Sequence, residues 1–363
     1  MKTKILRNIF LSVGVLFASA QLLSAGMNDG VLNFSNTPLV RPQATFITFD
    51  APGAVNGTYG QAVNAASVIA GSYLDTSFFL HGFVRAKDGT ITTFDAPGAV
   101  NGTEIGTGNL GQSGAINPAG AITGTYFDAS FVAHGFVRAP DGSLTTFDAP
   151  GAVNGTEGQA INPTGAIAGF YADASFATHG FLRAPDGTFT TFDAPGAVCG
   201  TVPFGFNPEG AITGQSFDAS CNAHGFVRAP DGSFAAFDPT GSTYTQPDAI
   251  NPAGAITGFY FDASFVSHGF VRAPDGSITT FDAPGASSTT IAEGINPAGT
   301  VTGYDIDAGG VSHGFVRAKH GTITTFDAPG STGTLELAIN PGGVITGAFS
   351  DASGATHGFL RIP

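Results

Sequence analysis

The tripeptide His-Gly-Phe begins at His81, His134, His179, His224, His268, His313 and His357, and its neighbours keep fixed distances from it. Seventeen positions before each histidine stands an asparagine: Asn64, Asn117, Asn162, Asn207, Asn251, Asn296 and Asn340. Fourteen positions after each of the first six comes the aspartate of a Phe-Asp pair, at Asp95, Asp148, Asp193, Asp238, Asp282 and Asp327, while Asp50 stands ahead of the first repeat. Only the interval from Phe-Asp to the next asparagine varies, running 14, 22, 14, 14, 13, 14, 13. A unit of about 45 residues repeated seven times describes a propeller or a solenoid, because one such unit cannot bury a core alone. The repetition also weighs against a catalytic motif, since an active site needs one copy.

Each unit divides into four short strands. In one repeat, "GQAIN" (Gly158–Asn162) runs into Asn162-Pro163-Thr164-Gly165, with Pro and Gly where a type I turn prefers them. The strands "AIAGFYA", "HGFLRA" and "TFTTFD" follow, separated by the loop "DASFAT" and the turn "APDG". Four strands with tight turns make a β-propeller blade, whereas a β-helix pairs shorter coils in parallel. The first repeat departs from the turn pattern, with Ala65, Ala66 and Ser67 after Asn64.

The repeat region opens on a lone fourth strand, "ATFITFDAPG" (Ala44–Gly53), and ends on a blade lacking one, "HGFLRIP" (His357–Pro363). Joining them gives the predicted fold, all-β: a seven-bladed β-propeller of four-stranded blades, closed by pairing the N-terminal strand with the C-terminal blade and left without an exposed edge. The strand around Ile47–Asp50 is expected beside Gly358–Arg361, with Asp50 opposite His357. The 53 Gly and 22 Pro fall at periodic positions, as turn punctuation does.

Residues 1–25 read as a signal peptide: Lys2, Lys4 and Arg7 precede an apolar core from Ile9 to Ala20, with small residues at Ala18, Ala20, Ser24 and Ala25. Residues 26–43 form a linker, and residues 44–363 the propeller. No later run is apolar enough for a membrane span. Removing the leader leaves 10 of the 13 Lys and Arg against 27 Asp and Glu, a balance of −17. Nucleic acid and anionic lipid are repelled by that charge. The mature chain is expected to be secreted or periplasmic, and a monomer.

A three-residue loop at "APDG", with Gly142 left-handed, places Ala139 opposite Ser143, Gly135 opposite Phe147 and His134 opposite Asp148. A ring over a bare glycine is a known sheet device, and His with Asp makes a charge-assisted hydrogen bond. His and Asp are also zinc ligands and triad members. Seven equivalent pairs cannot all meet one substrate, so they are read as structural, with no catalytic or metal residue assigned. Arg85, Arg138, Arg183, Arg228, Arg272, Arg317 and Arg361 alternate with Phe and are expected to be paired and half-buried. The loop aspartates Asp75, Asp128, Asp173, Asp218, Asp262, Asp307 and Asp351 are turn caps, or calcium ligands in the sharper reading. "DIDAGG" (Asp305–Gly310) is the nearest approach to a calcium loop.

Asn-Pro-x-Gly, His-Gly-Phe with a following Arg, Asp-Gly and Thr-Phe-Asp together resemble the bacterial extracellular-repeat proteins of the HAF family, from Ala44 to the end of the chain. The resemblance implies an exported propeller and no general activity.

Function is expected where the repeats differ. The fourth-to-first connection carries the length changes, including the longer segment Glu104–Gly111. Three positions before each repeat asparagine the residue varies: Gln61, Gly114, Gln159, Phe204, Asp248, Glu293 and Leu337. Gln61, Gln159, Asp248 and Glu293 are the candidate ligand-binding residues at the channel mouth, the last two offering carboxylates to a cation or to sugar hydroxyls. The favoured reading is a structural or binding propeller for a glycan or extracellular protein; the alternative is a hydrolase or lyase with a metal at the channel. Cys199 replaces a repeat Asn and Cys221 a repeat Phe, on connections that share a face, so an exported chain is expected to join them in a disulfide.

Overall fold

The computed structural model describes residues 44–106 and 114–363; the signal peptide and linker read at residues 1–25 and 26–43 lie outside them. Among the described residues twenty-eight strands group into seven blades, numbered here from Gly57. Blade 3 is typical: Thr156–Ile161, Ile167–Ala172, Thr178–Arg183 and Phe189–Phe192, each antiparallel to the next. Blade 7 takes its fourth strand from the other end of the chain. Thr45–Phe49 pairs with Thr356–Ile362 in the register Phe46↔Arg361, Ile47↔Leu360, Thr48↔Phe359 and Phe49↔Gly358, so the ring closes as its ends imply. No helix among the described residues is long and apolar enough to cross a membrane.

The repeated text explains how a blade holds together. Ala139 and Ser143 bracket the three-residue loop, Gly142 has φ 92°, and Gly135 pairs with Phe147. A β-carbon on Gly135 would lie 2.2 Å from the Phe147 ring, so only glycine lets the ring cover the strand. The third-strand aromatics Phe83, Phe136, Phe181, Phe226, Phe270, Phe315 and Phe359 are all but fully buried. Each stabilises the ring by roughly 1.5–3 kcal/mol.

Blades join through the arginines. Arg183 stacks its guanidinium 4.9 Å from the centroid of Phe147 in the preceding blade, and all seven arginines repeat the contact at 4.8–5.1 Å. Five of them are half-buried as the alternation implies, Arg85 and Arg317 are buried, and aromatic faces are their partners. Every ion pair among the described residues is made by histidine instead.

A second tie runs around the axis. Each repeat asparagine closes its own turn, as Asn162 Oδ1 does by accepting the N–H groups of Thr164 and Ala166. Five of these amides also donate to the asparagine carbonyl of the next blade: Asn64 to Asn117, Asn117 to Asn162, Asn207 to Asn251, Asn251 to Asn296, and Asn340 back to Asn64, at 3.0–3.2 Å. In the turn that lacks Pro and Gly, Ser67 adopts the left-handed conformation with φ 62°.

One expectation needs correction. The extra residues of blade 2 do not lengthen the fourth-to-first connection, because Ala96 N–H reaches Thr103 Oγ1 over the same seven positions that separate Ala149 from Thr156. They interrupt the innermost strand itself, between Thr103–Ile105 and the bridge Ile116↔Ile122. Of the segment Glu104–Gly111, residues 107–111 lie outside the described residues.

Candidate functional site

The His–Asp ring forms in every blade. Nδ1 of each histidine lies 2.7–2.9 Å from the Phe-Asp carboxylate, including His357 with Asp50 across the closure. Nε2 faces a second carboxylate, Oδ2 of the loop aspartate, at 3.5–3.7 Å. The loop aspartates are turn caps as read: Asp173 Oδ1 accepts the N–H groups of Ser175 and Ala177. Hydrogen bonds of this kind, led by the Ser353 hydroxyl, pull Asp351 down to about 2. The Asp238 hydrogen bond raises His224 above its ordinary value.

A tyrosine stacks on the imidazole in blades 1 to 3, with centroids 5.0–5.1 Å apart. Blade 6 puts Asp305 there instead. It pairs with His313 on the second strand, is 1% exposed, and has an Oδ1 with no hydrogen-bond partner. Burial raises it to about 6. The "DIDAGG" carboxylates are therefore divided between a strand and a loop.

The connections before the first strand and the loops before the third share a face. Asn56, Asn101 and Asn154 donate across it to the carbonyls of Asp75, Asp128 and Asp173. Hydroxyls of Thr243, Ser287 and Thr332 make the same clamp in blades 5 to 7. In blade 4 the Cys199–Cys221 disulfide replaces it, with Cα atoms 5.4 Å apart. Apolar side chains crown this face. Val55, Val100, Val153 and Val198 are 59–66% exposed, and Phe78, Phe131, Phe176 and Phe265 are 48–84% exposed. Those phenylalanines have φ of 60–66°, at a position where blades 6 and 7 carry Gly310 and Gly354. Sequence reading missed this crown, whose one signal was that alternation of Phe with Gly. The fourteen aspartates of the His ring lie on the same side, whereas the nine described Lys and Arg sit at the opposite end of the third strand or in the turn after it.

In six blades the variable position three before the asparagine is a β-bulge residue. The register of the innermost strand skips Gln61, Gln159, Phe204, Asp248, Glu293 and Leu337. Gln61, Gln159, Phe204, Glu293 and Leu337 are buried, and Asp248 is partly so. Asp248 accepts a hydrogen bond from Gln246, whose Oε1 accepts one from Tyr244. Burial, then Asp248 and Glu336, pushes Glu293 well above the carboxylate range. Glu336, fully buried, is raised to about 8, and burial with Glu104 nearby raises Glu157 to about 8. The structure thus sets the acids of blades 5, 6 and 7 beside one another, and keeps Gln61 and Gln159 in other blades. A cleft of about 290 Å³ lies elsewhere, between blades 3 and 4, walled by Leu182, Arg183, Phe206 and Arg228.

Neither a family model nor a curated protein matches the chain. Solved structures do. A streptogramin B lyase is 13% identical over 88% of this chain and 98% of its own, with a TM-score of 0.59. The virginiamycin B lyase from Staphylococcus aureus is 13% identical over 88% of this chain and 100% of its own, with a TM-score of 0.62. A mitotic checkpoint complex chain is 11% identical over 96% and 99%, with a TM-score of 0.54. At these identities the likeness is one of fold, and the fold is a repeat β-propeller.

Proposed function

We propose that the chain is an exported repeat propeller of the HAF kind that binds an extracellular glycan or protein on its loop face, and does not act as an enzyme. The carrying observation is the strained aromatic crown. A left-handed conformation costs a residue with a β-carbon about 1–2 kcal/mol, and the same turn forms with Gly310 and Gly354. Phe78, Phe131 and Phe265 bury little in return and Phe176 about half its surface, so what they supply is a contact surface. The disulfide suits an oxidising compartment.

The test compares wild type with the combined Phe78→Asn, Phe131→Asn, Phe176→Asn, Phe265→Asn variant on a glycan array and an extracellular-protein panel. Asparagine tolerates the left-handed turn, so the fold is kept. Binding lost by the variant at unchanged melting temperature is expected. Equal binding by both proteins overturns the reading. So does a hydrolase or lyase activity that Glu293→Gln abolishes and the crown variant retains.

A further inference from the structure

The crown is lopsided. In blades 1 to 3 a valine of the connection before the first strand is tied to the loop that carries the phenylalanine. The N–H groups of Val55, Val100 and Val153 each donate, at 3.0 Å, to the carbonyl just ahead of the loop aspartate. That arrangement joins Val55 with Phe78, Val100 with Phe131 and Val153 with Phe176, six side chains that are 48–72% exposed. Blades 5 to 7 put Thr243, Ser287 and Thr332 at the valine position, with their hydroxyls spent on the loop carbonyls. At the phenylalanine position blade 5 keeps Phe265, while blades 6 and 7 have Gly310 and Gly354. The continuous apolar surface is therefore an arc over one side of the ring.

This arc is set among carboxylates. Each of its blades adds a loop aspartate and a Phe-Asp aspartate on either side of one histidine, 31–56% exposed. Hydrogen bonds from the Phe79 and Val132 N–H groups and the Ser175 hydroxyl hold Asp75, Asp128 and Asp173 below the usual carboxylate range. Even with its imidazole charged, each blade keeps a net negative charge here, and no described Lys or Arg shares the side. A neutral glycan makes no use of such a field. Valine offers a sugar neither a flat ring to stack on nor a hydrogen bond. An apolar centre inside a charged rim is how protein–protein interfaces are built, and the sign of the rim selects the partner.

We propose that the arc over blades 1 to 3 docks a basic protein segment, with apolar side chains on the valines and phenylalanines and Lys or Arg among the aspartates. This rests on the loop-face reading above and narrows it to one arc and one class of partner.

The probes are three synthetic peptides of equal length, alternating lysine with leucine, lysine with serine, and glutamate with leucine, offered to the intact propeller by surface plasmon resonance. Only the lysine–leucine peptide is expected to bind, associating about tenfold more slowly in about 0.5 M salt than in about 0.05 M. Asp95→Asn, Asp148→Asn and Asp193→Asn together keep an oxygen to accept each histidine Nδ1–H. They should slow association about tenfold and flatten its salt dependence. Asp282→Asn, Asp327→Asn and Asp50→Asn remove the same charge from blades 5 to 7 and should change association by less than about twofold. Val55→Ser, Val100→Ser and Val153→Ser together should speed dissociation about tenfold at unchanged melting temperature. The proposal is overturned if the lysine–leucine peptide does not bind, if the glutamate–leucine peptide binds equally, or if the two aspartate triples act alike. The loop-face reading survives that result if a glycan or an acidic protein binds and is lost with the crown phenylalanines. Both fall if no partner responds to them.

Discussion

Phe265 is the plainest case of a residue at odds with its backbone: φ is 60° and the side chain is 84% exposed. Phe265→Gly should leave the melting temperature unchanged or raise it, by up to about 1 kcal/mol of stability at that position. A drop of several degrees would show that the ring is held by contacts that matter to the fold. Buried acids give a second prediction. Glu157 sits near pKa 8 in the folded chain against 4.5 as a free side chain, so the folded state keeps a proton that the unfolded chain releases. Stability therefore falls as pH rises from 4.5 to about 8 and levels off above that. Glu157→Gln should flatten that slope, stabilising by a few kcal/mol on the order-of-magnitude scale of such shifts above pH 8 and by little near pH 4. Parallel melting curves of the two proteins across the range would refute it. The His–Asp pairs were legible in the sequence because spacing and turn type fixed the register. The charge state of Glu157 was not, because it depends on which neighbours a strand residue meets across blades.

At the scale of the element, one clamp is built from interchangeable parts. Asn154 in blade 3, the Cys199–Cys221 bridge in blade 4 and Thr243 in blade 5 tie the same connection to the same loop. Restoring the repeat text with Cys199→Asn and Cys221→Phe should therefore preserve the blade and make melting indifferent to reductant. Reduction of the wild type should cost up to about 3 kcal/mol. A double variant that fails to fold would mean that blade 4 needs its bridge for reasons the other blades lack. The cysteines could be paired from sequence because both departures fell on connections known to share a face. The innermost strand was harder to read. Its bulge leaves no mark but a variable residue, and Gly169, whose added β-carbon would lie 2.1 Å from the Glu157 carbonyl, answers to it only in three dimensions. The added residues of blade 2 look like a longer connection until Thr103 is seen holding Ala96.

Across the whole molecule, closure is made twice. The outer tie is the strand Thr45–Phe49, and Phe49 does two jobs at the seam: its ring covers Gly358 of blade 7 and receives Arg85 of blade 1. The inner tie is the hydrogen bond from the Asn340 amide to the Asn64 carbonyl. Deleting residues 44–50 removes the outer tie at once, including the Asp50 partner of His357, and leaves the third strand of blade 7 as an open edge. The expected result is a lower melting temperature for the whole ring and a new tendency to associate, measured by calorimetry and light scattering. Adding a synthetic peptide of residues 44–50 should reverse both. Asn340→Ala tests the inner tie alone. It loses one interblade bond and the capping of its own turn, for a cost of about 1–3 kcal/mol. Asn117→Ala makes the same two losses far from the seam and should cost the same. If the seam variant proves much the more damaging, the ring is held mainly at its closure. Equal costs would place its stability in like junctions spread around the ring, as a true repeat ring requires.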